Sequence, residues 1–159
     1  MVPTQDDIEK IGKALKAIDF LQHMTSEETL KLIVGFEKST MRKGEILITQ
    51  GKTGSIFYII ASGTVGVFLK RAWVDKKVAT LGEGQFFGEV ALINDEPRNA
   101  SVICECDGEV FTLLRGTFQN VIMHNPHISE ELKRVSHQRQ VDTRNAQLDE
   151  SIRQKSRFQ

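Results

Sequence analysis

The chain has 159 residues, 40% apolar and 26% charged, which is enough for one globular domain with a real core and too little for two. Its 21 basic and 21 acidic residues cancel to a formal net charge of zero, so no global field draws it to nucleic acid or to an anionic membrane. No apolar run approaches the roughly 20 residues of a membrane span, and the N-terminus MVPTQDDIEKIGKAL lacks a signal peptide's layout, so a cytoplasmic protein without membrane insertion is expected.

The initial Met points to a small natural protein, and the sequence leaves open whether the chain belongs to a larger one. From Asp6 to about Phe36, Ile8, Ile11, Leu15 and Ile18, then Leu30, Ile33 and Val34, recur at intervals of three and four. That spacing predicts a pair of helices. Thr25-Ser26-Glu27-Glu28 supplies a hydroxyl cap and early carboxylates for the second, and Asp19-Phe20-Leu21 is read as the link between them.

From Ser39 to Leu114 the period drops to two. GEILITQG, SIFYIIASG, TVGVFLK, KKVATLGEG, NASVICEC and EVFTLL read as short strands. Glycines 44, 51, 54, 63, 82, 84 and 108 fall at or near the gaps, where a positive φ is cheap. Short antiparallel strands at this spacing imply a barrel or jelly roll that covers its own edges. Cys104 and Cys106, at i and i+2, are expected on one face of a strand, half-buried and badly placed to bond each other. Cys-Glu-Cys has no further ligands beside it, and no metal is expected.

From Gly116 the helical period returns. Phe118, Val121, Ile122 and Met123 form one apolar stripe that ends near Asn125-Pro126. A second helix is predicted from His127 to beyond Asp149, with a thin apolar seam of Ile128, Leu132, Val135, Val141, Leu148 and Ile152. Such a helix is weak alone and gains stability by docking.

One loop carries the chemistry. In FGEVALINDEPRNASV, residues 87–102, Gly88 lets the backbone approach a ligand, and Glu89 to Ile93 suit one helical turn. The unpaired N–H groups that open such a turn favour an anion. Pro97 fixes φ just before Arg98, whose planar fork suits a phosphate. Glu89 repels a phosphate but accepts from a hydroxyl. A carboxylate for a hydroxyl and an arginine for an anion together describe a sugar-phosphate site.

This stretch resembles the phosphate-binding cassette of cyclic nucleotide-binding domains: Phe-Gly-Glu, an aliphatic-Ala-aliphatic run, a short loop, then Pro-Arg and small residues. The likeness continues through ITQGKTGSIFYIIASGTVGVF (48–68), which resembles the family's first β-hairpins, and it covers most of the chain. It implies one domain over residues 5–155, with N-terminal helices in 5–36, a β-roll in 37–115 holding the cassette at 87–102, and C-terminal helices in 116–155. It places Arg98 at the cyclic phosphate and Glu89 at the ribose 2′-hydroxyl, with Phe87, Gly88, Val90 and Ala91 also in the ligand site and the N–H groups of Gly88 and Ala91 assisting. Val67, Ala79 and Leu81 fall where the family contacts the purine, and a residue of the last helix closes over the base. Asn99 and Ala100 complete the cassette. Asn99 departs from the family's Ala, Ser or Thr there, which leaves cAMP and cGMP both open as the ligand.

Enzyme readings find little. His23, His124, His127 and His137 fall in predicted helices or their junctions, not on strands where a jelly-roll metal site would draw its ligands. No Gly-x-Ser-x-Gly elbow, Walker loop or nucleophile–base pair is present. The basic C-terminal tail leaves no room for a helix-turn-helix, so no nucleic acid is expected. The expectation is therefore a non-catalytic sensor binding cAMP or cGMP without a metal. It would relay binding through the C-terminal helix to a protein effector or a homodimer partner. The competing expectation is a sensor-shaped adaptor with an empty pocket.

Overall fold

The computed structural model describes residues 4–18, 21–22, 24–71, 74–92, 97–122 and 130. Two helices lead, α1 (Gln5–Lys16) and α2 (Ser26–Val34). Each starts at a capping box. The hydroxyl of Thr4 accepts from Asp7 N–H while the Asp7 carboxylate accepts from Thr4 N–H, and Thr25 and Glu28 repeat the exchange. Thr25 thus takes the role its sequence predicts.

Eight strands follow: β1 (Glu37–Met41), β2 (Ile46–Ile48), β3 (Ile56–Ser62), β4 (Val65–Arg71), β5 (Val74–Leu81), β6 (Phe86–Phe87), β7 (Ser101–Cys104) and β8 (Gly108–Leu114). A 3-10 turn, Glu89–Leu92, separates β6 from β7, and α3 (Arg115–Ile122) continues directly from β8. The strands form two four-stranded antiparallel sheets, ordered β1-β8-β3-β6 and β2-β7-β4-β5. This is the expected β-roll with flanking helices. β1 and β6 are additions. EKSTM offers a single buried apolar side chain, Met41, and β6 is two residues long, so neither shows a readable alternation.

The core lies on both sides of β3. Phe57, Ile59 and Ala61 join Ile11, Leu15, Leu32 and Phe118 in a cluster under the helices. Tyr58 and Ile60, with Ile56 at the edge, face the other way, onto Met41, Val65, Phe87, Val102 and Val110 inside the roll. The period of two sends alternate side chains of one strand into two cores. β8 does the same, with Phe111 and Leu113 towards the helices and Val110 inwards.

Two expectations need correction. The strand holding the cysteines ends at Cys104, which is buried and donates its Sγ–H to the Cys106 carbonyl, while Cys106 beyond it is exposed. The two do not share a face, because the chain bends after Cys104. Positive φ occurs at Gly44, Gly51, Gly63 and Gly84 but not at Gly54, Gly82 or Gly108, and it occurs also at Gly88. The four histidines, the turn at 94–96, the end of the first C-terminal helix and all of the second but Glu130 lie outside the described residues.

α1 is tied to the roll through a buried carboxylate. Asp7 is 4% exposed, and its Oδ1 lies 3.2 Å from Lys38 Nζ on β1, which also reaches Glu109 on β8 at 3.7 Å. The Thr4 backbone N–H holds the Asp7 pKa below its ordinary 3.8; burial opposes this and Lys38 assists it. A lowered pKa means that the carboxylate stabilises the fold fully above the unfolded value and loses that effect as pH falls through the folded one. Asp7→Asn is expected to cost about 1–3 kcal/mol at about pH 7. Urea denaturation should show the gap between variant and wild type narrowing as pH falls below 3.8, the ordinary carboxylate value.

Candidate functional site

The site is built around the backbone of Arg98. Gly51 N–H donates to the Arg98 carbonyl at 2.8 Å, and Arg98 N–H donates to the Lys52 carbonyl at 2.9 Å. The turn between β2 and β3 thus holds the residue after Pro97 as a partner strand would. Gln50 anchors that turn. Its side-chain oxygen accepts from Lys70 N–H at 2.7 Å, its amide nitrogen reaches the Lys70 carbonyl at 3.5 Å, and its own N–H donates to Ser101 Oγ.

The Arg98 side chain then passes between two glycines. A Cβ on Gly54 would lie 2.9 Å from Nη2, and one on Gly88 would lie 3.1 Å from Nη1 and from the Ile56 carbonyl. Gly88 also has φ +80°, a conformation that side chains disfavour. Nη2 donates to the Ile56 carbonyl at 3.0 Å. Among the described residues the guanidinium makes no ion pair. Burial lowers its pKa, Tyr58 raises it and Arg115 lowers it further, and the group stays charged because arginine starts so high. A half-buried cation with no counter-charge is costly, and an anion placed against it recovers part of that cost.

A cleft of about 320 Å³ opens beside Arg98, lined by Leu47, Ile48, Thr49, Lys52, Thr53, Gly54, Ser55, Ile56 and Tyr58. Tyr58, which alternation along β3 aims inwards, stacks on Phe87 with centroids 4.8 Å apart and planes 10° apart, and donates its hydroxyl to the Leu47 carbonyl at 3.3 Å. A second cleft, of about 340 Å³, lies between α1 and α2, with a mainly apolar lining whose one charged residue is Lys16.

The residues singled out in the sequence divide into those at Arg98 and those on the adjoining sheet. Phe87 is buried, Gly88 abuts the guanidinium, and Glu89 to Leu92 form the predicted single turn, closed by Ala91 N–H donating to the Gly88 carbonyl at 3.1 Å. Glu89 and Ala100 are half-buried, Asn99 is exposed, and Val90 belongs to the turn. Val67, Ala79 and Leu81 are outside the cleft lining. Register nevertheless connects them to it: Ile48 pairs with Val102, Val102 with Val67, and Val67 with Ala79, giving one row of residues across the sheet. Val65 between Cys104 and Leu81 forms the next row.

Gly54, the Ile56 carbonyl and Tyr58 were not singled out by residue chemistry. The Gln-Gly-x-x-Gly pattern marked the turn, but only the fold shows that it seats an arginine 44 residues on, at Arg98 rather than in the turn itself. Tyr58 could have been found from its inward place in the alternation.

The family model for the cyclic nucleotide-binding domain matches residues 38–125. A cAMP-dependent protein kinase regulatory subunit of Yarrowia lipolytica is 37% identical over 108 residues, covering 68% of this chain and 28% of that protein. Human cGMP-dependent protein kinase 2 is 32% identical over 123 residues, 71% of this chain and 16% of the kinase. The regulatory domain of Toxoplasma gondii PKA, solved with cAMP, superposes with a TM-score of 0.68 at 23% identity, over 75% of this chain and 46% of that one, which establishes a shared fold. The chain spans about a quarter or less of the length of these curated relatives.

Gly88→Ala combines the strained φ with contacts at 3.1 Å on Arg98 and the Ile56 carbonyl, and is expected to destabilise the domain by about 2 kcal/mol. Gly116→Ala, in α3 with nothing within 4 Å of the new Cβ, should be neutral or stabilising by up to about 1 kcal/mol. Urea melts of the two variants measured together check the contrast.

Proposed function

The chain belongs to the cyclic nucleotide-binding domain family, and we propose that it is a non-catalytic cytoplasmic sensor, one domain over residues 5–155, that binds cAMP or cGMP without a metal. The observation that carries this reading is the Arg98 guanidinium: half-buried, without an ion-pair partner among the described residues, fixed by the Ile56 carbonyl and set beside a cleft. A cyclic phosphodiester supplies the single negative charge that this cation lacks.

In this reading Arg98 takes the cyclic phosphate and Glu89, at the start of the 3-10 turn, accepts from the ribose 2′-hydroxyl. Gly88 N–H assists at the phosphate. Ala91 N–H closes the turn on the Gly88 carbonyl, so it serves the ligand by sharing that bond. The row from Ile48 through Val102 and Val67 to Ala79, with Leu81 beside it, offers the purine an apolar floor. Exposed Asn99, with Ala100 behind it, flanks the phosphate end and leaves the choice of base to other contacts.

Binding is relayed through α3 to a protein effector or a second copy of the chain. Arg115, the first residue of α3, donates its N–H to the Ser55 carbonyl at 2.8 Å and reaches the Ala91 carbonyl with Nη1 at 3.4 Å. The helix therefore starts on both the turn and the cassette that the ligand touches. A ligand moves α3 only by binding one arrangement of these contacts more tightly than another.

Thermal shift and calorimetry with cAMP and with cGMP test the reading. At least one should raise the melting temperature, and no stabilisation by either at about 1 mM refutes it, since a ligand at 100 times its Kd already contributes about 2.7 kcal/mol. Arg98→Ala, which deletes a charge-assisted contact, should weaken binding by about 1.5–3 kcal/mol or more. An unchanged affinity in that variant removes Arg98 from the site.

A further inference from the structure

The turn that fixes Arg98 carries a second cation. Lys52 is exposed, lines the same cleft of about 320 Å³ and forms no ion pair among the described residues. Its position is not loose, because its carbonyl accepts the Arg98 N–H at 2.9 Å, and the neighbouring Gly51 N–H returns a bond to the Arg98 carbonyl. The lining contains no carboxylate: Lys52 and Arg98 are its charged residues, and Thr49, Thr53, Ser55 and Tyr58 its hydroxyls. Arg98 already commits one N–H of Nη2 to the Ile56 carbonyl.

Resting on the cyclic nucleotide reading above, we propose that Lys52 is a second phosphate-binding cation, one that sets how strongly this pocket favours anionic ligands. The division of labour follows from burial. Arg98 is half-buried, its side chain wedged between two glycines, and acts as the fixed, geometry-selecting contact. Lys52 sits at the exposed rim on a flexible four-carbon stem and acts as a point charge, without the fork's directional demand. An exposed charge interacts through water and is screened by salt, whereas a half-buried one is screened far less. The pocket should therefore show a salt-sensitive part of its affinity due to Lys52 and a salt-resistant part due to Arg98. A rim cation also favours phosphates of higher charge, so a nucleoside 5′-monophosphate should lose more than a cyclic one when Lys52 is removed.

The test is isothermal calorimetry on the whole chain with cAMP, cGMP and 5′-AMP at about 50 mM and about 500 mM KCl. Lys52→Gln should weaken cyclic nucleotide binding about three- to tenfold at low salt, flatten its dependence on salt, and weaken 5′-AMP by a larger factor. Lys52→Arg should restore both affinity and salt dependence, which a purely structural role for the turn would not require. Lys76→Gln, an exposed lysine on β5 outside the cleft lining, is the control and should leave all three unchanged. Wild-type affinity and salt dependence in Lys52→Gln overturn the role of Lys52 while leaving the sensor reading intact. A wild-type chain that binds neither cyclic nucleotide overturns both. Equal losses in Lys52→Gln and Lys52→Arg, with salt dependence retained, mark Lys52 as a structural turn residue and overturn the proposal.

Discussion

A cation held half out of water by backbone alone organises this domain. The carbonyl of Ile56 and the paired bonds of Gly51 and Lys52 fix Arg98 without lending it a negative charge. Carbonyl dipoles stabilise a guanidinium only in part, so the fold holds an unmet electrostatic demand at one end of its cleft. That demand dictates much nearby. Gly54 and Gly88 give up side chains to make the seat, and Gln50 ties the turn to β4 by imitating a strand residue's bonds to Lys70. Tyr58 stacks on Phe87, the residue before the glycine that admits the guanidinium. Sequence positions from 50 to 98 are thus joined in one local construction.

The same construction touches both cores. The 3-10 turn lies between the roll and the helices: Leu92 packs in the cluster under the helices, while Gly88, just before the turn, touches the arginine. Phe86 stands edge-on to Phe57, which stands edge-on to Phe36 at the end of α2, at centroid distances of 5.9 and 6.0 Å. The chain therefore enters the cassette through one aromatic residue packed towards the helices, Phe86, and one packed inwards, Phe87. Adjacent residues of a two-residue strand face two different cores.

How much was readable in advance follows from how local each signal is. The helices announced themselves because their caps and stripes lie within a few residues, as at Thr25 and Glu28. Six strands were legible from alternation. β1 was not, because Glu37, Lys38, Ser39 and Thr40 take their place only from pairing with residues 109–112 of β8. The cassette was legible by resemblance and by the chemistry of Glu89 and Arg98, and the turn at 89–92 formed where expected. The seat of Arg98 was not, since a glycine that makes room for a side chain far along the chain looks like any turn glycine. Gly54 lies in a gap between strands as expected, but its φ is not positive and its use is empty space. Cys106 failed for a similar reason: alternation cannot foresee the bend that ends β7 at Cys104.

β3 has a consequence for how the domain comes apart. Phe57 and Ile59 are fully buried under the helices, and Ile60 is almost fully buried inside the roll, so one seven-residue strand is a wall of both cores. Pulling the helices away exposes Phe57 and Ile59, and opening the roll frees the strand that carries them. Neither half can melt and leave the other whole. The two-sided wall therefore couples the roll to the packed helices, and a local opening of either uncovers the core of the other.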